Sequence, residues 1–79
     1  MAPIVVREGN YRLFFFSREE SRMHVHVAHP HGEAKFWLEP KIELAKHVGL
    51  STQQIREAER IVSAHLVEIT DAWHKHFSG

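Results

Sequence analysis

The residues best suited to chemistry in this chain are two imidazoles separated by one residue, His24-Val25-His26. Side chains alternate across a strand, so a His-x-His pair sets both rings on one side of a sheet. That spacing is a metal-ligating arrangement, and Glu39 or His31 would supply a third ligand; His24, His26 and Glu39 form the candidate metal set. The same rings suit acid–base catalysis without a metal. One would accept a proton and the other donate one, with Arg12 or Lys35 stabilising a phosphorane-like transition state. The substrate would be RNA, whose 2′-hydroxyl is the nucleophile, and the candidate catalytic residues are His24, His26 and Lys35. Ordinary strand histidines, packed by aromatic rings and bonded to a neighbour, use the same residue types and are commoner.

The elements that must position these groups follow from hydrophobic period. Ile4-Val5-Val6 is short and β-branched, and Gly9-Asn10 punctuates it. Tyr11 to Phe16, Met23 to Ala28 and Glu33 to Glu39 read as three further runs with short connections, which predicts an antiparallel meander. Pro40 opens a segment, 41–47, that reads as a two-turn helix ending at Gly49. Ser51-Thr52-Gln53-Gln54 has the capping-box form. From there Ile55, Ala58, Val62, Leu66, Ile69, Trp73 and Phe77 recur at three- and four-residue steps, the stripe of one long amphipathic helix. His65 and His76 fall at the edges of that stripe.

Alternation sorts the strand residues into two sets. Tyr11, Leu13, Phe15, Met23, Val25, Val27, Phe36 and Leu38 are apolar and should face the helices. Arg12, Phe14, Phe16, His24, His26, Ala28, Lys35, Trp37 and Glu39 should share the other face. A hairpin pairing Phe16 with His24 puts Phe14 opposite His26; a second one turning at His31-Gly32 puts His26 opposite Trp37 and His24 opposite Glu39. A slip by one residue would turn the apolar set outward, which argues for these parities. Phe14, Phe16 and Trp37 then cluster around two histidines, a patch that calls for cover. Phe14, Phe16, Trp37 and Arg12 are the candidate partner-binding residues. A self-associating copy or another protein would use the same rings, and so would single-stranded nucleic acid stacking on them.

Composition narrows the classes. The chain has 79 residues, no cysteine, ten Lys plus Arg against ten Asp plus Glu, and eight histidines. The missing cysteine removes thiol nucleophiles, disulfides and cysteine-based zinc sites. Zero formal charge does not favour nucleic acid, and nothing reaches the length of a membrane span. The start, Met1-Ala2-Pro3-Ile4, lacks a signal pattern, so a cytoplasmic location is expected. No glycine-rich phosphate loop, Gly-x-Ser-x-Gly elbow or His-Glu-x-x-His occurs, and no cofactor is implied.

Arg7-Glu8-Gly9, Phe14-Phe15-Phe16-Ser17, His24-Val25-His26-Val27 and Glu33-Ala34-Lys35-Phe36-Trp37-Leu38 resemble a family of short bacterial proteins known as a domain of unknown function. The resemblance runs over nearly the whole chain, through Ala72-Trp73-His74, although Glu20-Ser21-Arg22-Met23 lacks the proline expected before the first histidine. It implies a gene layout similar to toxin–antitoxin pairs, hence a protein partner, with His24, His26 and Lys35 as motif positions.

Residues 1–79 are therefore expected to form one α+β domain: a three- to four-stranded antiparallel meander with a short helix and a long C-terminal helix on one face. The expected function is an interaction module without enzymatic activity, binding a protein partner or itself through its aromatic and histidine face. An RNA-cleaving toxin and a metal-binding domain are the rivals.

Overall fold

A computed structural model describes residues 4–16 and 21–77. The fold is α+β. Five strands, β1 (Ile4–Glu8), β2 (Tyr11–Phe14), β3 (His24–His29), β4 (Gly32–Trp37) and β5 (Glu43–Val48), form one antiparallel sheet in the order β1-β2-β3-β4-β5. Two helices follow, α1 (Thr52–Ala64) and α2 (Leu66–Phe77).

Tight turns set the meander. Gly9 takes φ +57° in the two-residue connection that pairs Glu8 with Tyr11, a conformation that side-chain-bearing residues resist. Pro30-His31 makes the next two-residue turn, with His29 opposite Gly32. The apolar set points where alternation put it. Leu13, Phe15, Val25, Val27 and Phe36 are fully buried, and they form one cluster with Ala58, Ile61, Val62, Ile69 and Trp73 of the helices.

Three expectations are corrected. Residues 41–47 are not a helix: they lie largely within β5. Seven residues are too few to hold a helix in water, whereas β4 offers a whole edge of backbone donors and acceptors. Close approach depends on Gly32, where a Cβ would overlap the Val48 carbonyl oxygen and Gly49. Gly49 itself turns the chain out of β5 at φ +80°. The strand count thus rises to five.

The single long helix is broken. Ser51 caps α1 as its sequence indicates: its hydroxyl accepts from the Gln54 amide, and Gln54 Oε1 accepts from the Ser51 amide. The helix ends at His65, which leaves helical geometry at φ −112°, ψ 21°. A straight helix over the whole stripe would run about 35 Å, well past strands of about 20 Å. The break lets both halves stay over the sheet, and every stripe residue still points inward or is half-buried.

The third correction is one of register. β3 and β4 pair His24 with Trp37 and His26 with Lys35, two residues away from the expected partners, because the turn is at Pro30-His31. A two-residue shift leaves every side chain on its original face.

A polar cluster holds the helix break. His65 faces Glu68 through Nδ1 (2.8 Å) and Glu8 of β1 through Nε2 (3.2 Å), and donates to both when its ring is protonated. Arg60 donates to Glu8 (2.7 Å) and Glu57 (2.8 Å). The hydrogen bonds to Glu68 and Glu8 raise the pKa of His65 above its ordinary value, and those from Arg60 and His65 lower that of Glu8. Among the described residues no helix is long and apolar enough to cross a membrane.

Candidate functional site: the open face of the sheet

Both helices pack on the apolar face, so among the described residues no helix or strand covers the other one. Its rows are read from the ladder. One runs Arg7, Arg12, Ala28, Glu33, Val48 from β1 to β5; the next runs Ile4, Phe14, His26, Lys35, Lys46. His24, Trp37 and Glu43 make the third. Phe14 stands opposite His26 as alternation predicts, and β2 ends there, so Phe16 lies beyond the ladder.

The rings form a connected group. Phe14 and His26 stack at 5.6 Å between centroids, and Phe16 meets His26 edge-on at 4.6 Å and Phe14 at 5.3 Å. Phe16 is 47% exposed, a large value for a ring of that size. Trp37, half-buried, carries two cations: the Arg22 guanidinium 4.3 Å and the Lys35 ammonium 4.4 Å from its ring centre. A shallow pocket of about 190 Å³ lies between the aromatic group and β5, with His26, Lys35, Lys46 and His47 in its walls.

The two candidate acid–base residues differ. His26 is half-buried on the face. His24 is fully buried; its Nδ1 donates to the Arg22 carbonyl at 2.7 Å, and its ring lies between His26 (5.1 Å), Trp37 (5.6 Å) and Trp73 of α2 (5.2 Å). Lys35 stands across β3–β4 from His26, so the three candidate catalytic residues are neighbours, but two of them are buried, His24 fully and Lys35 at 9% exposure. Of the candidate metal ligands, Glu39 lies at the rim, where its Oε2 accepts from the Met23 amide at 3.3 Å. Among the described residues no three His, Asp or Glu side chains come together as a metal set. His31 sits at the opposite end of β3, its Nδ1 accepting from Gln54 Nε2 at 2.6 Å. Arg12 is exposed on the face.

Sequence reasoning missed three cations of this face, Arg7, Arg22 and Lys46. Lys46 belongs to β5, a strand read as helix, and Arg22 lies in a connection that periodicity does not orient. The alternation Ile42-Glu43-Leu44 was the available signal for β5.

Neither a curated protein nor a solved structure matches the chain. One family model does, over residues 10–74, and its description is a domain of unknown function, DUF4160. That match takes in four of the five strands, all of α1 and most of α2, and the chain belongs to the DUF4160 family.

Proposed function

We propose that the chain is an interaction module that binds an acidic macromolecule on the open face of its sheet. The observation that carries this reading is the exposed ring of Phe16, packed against half-buried Phe14 and His26, with Arg7, Arg12, Arg22 and Lys46 exposed on the same side of the sheet. Apolar rings supply contact area, and the cations select a partner of opposite sign. A second protein, such as the other member of a toxin–antitoxin-like gene pair, would need an acidic surface there. Self-association through this face is less well supported, because a two-fold axis would set the same cations against each other.

An RNA-cleaving role has less support. An acid and a base must both reach the substrate, and His24 is buried behind its neighbours. The metal reading is weaker still, since among the described residues no third ligand joins His24 and His26.

The test is backbone-amide shift mapping by NMR during titration with a polyanion, poly-glutamate or heparin fragments. The expected shifts concentrate on β2, β3, β4 and β5 at open-face positions. Shifts confined to α1 and α2, or none at all, would sink the proposal.

A further inference from the structure

We infer that the outer edge of β5 pairs antiparallel with β5 of a second copy of this chain, joining the two sheets into one. The inference does not depend on what binds the open face.

β5 ends the sheet, so one row of its backbone N–H and C=O groups points away from β4. Among the described residues no backbone hydrogen bond reaches that row. Five of its six residues are exposed, Ala45 is half-buried, and the buried core includes none of them. Leu44 and Val48, two of the large apolar side chains exposed on this fold, both belong to the strand. Such an edge is a template for a further strand. The opposite edge strand, β1, is engaged: Val6 is in the core, and Glu8 is tied to Arg60 and His65 on the helical side.

The order of residues along β5 selects its own copy as the occupant. Glu43 and Lys46 stand on the open face, opposite Trp37 and Lys35. Leu44 and His47 stand on the helical side, opposite Phe36 and Ala34, and Ile42 packs against the core. In a regular strand, residues three apart point to opposite faces. The register shift at Lys35/Phe36 gives β5 one extra residue, Ala45, and brings Glu43 and Lys46 to the same face. The sides are thus symmetric about the midpoint of Leu44 and Ala45: Glu43 mirrors Lys46, and Ile42 mirrors His47.

A two-fold axis through that midpoint, perpendicular to the sheet, sets Glu43 of each copy opposite Lys46 of the other. Two cross-strand pairs of opposite charge form at once, and the helices of both copies stay on one side. Within one copy Glu43 meets Arg22 only at 3.9 Å. Bulges and edge lysines usually guard an edge against pairing. Here they still guard it against other strands, because a regular strand cannot follow the sides of a bulged one and a partner without a carboxylate leaves Lys46 unmatched. The same two features admit the strand's own copy. Six residues of edge make a small interface, so the dimer is transient rather than obligate.

The experiment is sedimentation equilibrium of the full chain from about 10 μM to about 1 mM. Wild type is expected to pass from monomer to dimer and to stop there. Glu43→Lys and Lys46→Glu each set like charges together at both pairs, and each should weaken dimerisation about ten-fold or more. An equimolar mixture of the two variants restores opposite charge at both pairs and should dimerise about as tightly as wild type. Misfolded variants could not produce that rescue, and circular dichroism of each alone checks the fold. Wild type that stays monomeric throughout, or that grows past the dimer, overturns the inference. So does an unaltered Kd in both variants, or a mixture that associates no more tightly than its components.

Discussion

His24 and Trp73 meet edge-on with their ring centroids 5.2 Å apart, although strand parity gives His24 to the open face and Trp73 belongs to the helix packed on the other. The contact is made at the end of the sheet where β3 begins, and Trp73 also packs against Phe15 at 5.3 Å. His24 thus joins the two layers.

A buried bridging ring should matter to stability more than to ligand contact. His24→Ala is expected to destabilise the fold by about 2 kcal/mol, through the cavity left beside Trp37 and Trp73 and the lost bond to the Arg22 carbonyl. Urea denaturation reads this directly. A variant as stable as wild type would show that the ring does not support the layers.

Neighbours in sequence should behave oppositely. Phe15 is fully buried against Trp73 and Phe77, and Phe15→Ala is expected to cost about 3–5 kcal/mol. Phe16→Ala, one residue on, should stay within about 1 kcal/mol of wild type, because its ring is already half in solvent. The pair of urea midpoints tests the sidedness on which the open-face site depends.

At Gly32 even a methyl group would strike the Val48 carbonyl and Gly49. Gly32→Ala should therefore push β5 away from β4. Hydrogen exchange is the suitable readout: amides of β5 should lose protection while those of β2 and β3 keep theirs. Unaltered β5 protection would mean that the strand yields without unpairing.

The cluster at the helix break predicts a pH profile with two limbs. The pKa of His65 is raised above its ordinary 6.5 by Glu68 and Glu8, so its contribution is full below 6.5 and is lost as pH rises through the raised value. The pKa of Glu8 is lowered from 4.5, so its contribution is full above 4.5 and is lost as pH falls through the lowered value. The effects should be modest, because the partners are half exposed and water screens them. Melting temperature followed against pH should show the alkaline limb flatten in His65→Gln and the acid limb flatten in Glu8→Gln. Equal slopes in wild type and His65→Gln would rule out His65 as a source of the alkaline limb.

Much of the architecture was legible in the chain because its strongest signals are local. Period-2 alternation in Tyr11 to Phe16 and Met23 to Ala28 assigned each side chain to a face, since a slip by one residue would have exposed Leu13, Val25 and Val27 together. The Ser51 cap and the stripe from Ile55 to Phe77 marked the helical half. These features depend on residues a few positions apart.

What remained depended on partners distant in sequence. Residues 43–48 became a strand because β4 offered an edge, and the stripe broke at His65, where Glu8, far away along the chain, holds the imidazole from β1. The open face was legible as a set of residues but not as an electrostatic surface. Only strand pairing could set Arg7 against Arg12 and Lys35 against Lys46, because the interaction of two charges depends on their separation in space and a composition of zero net charge carries no distances.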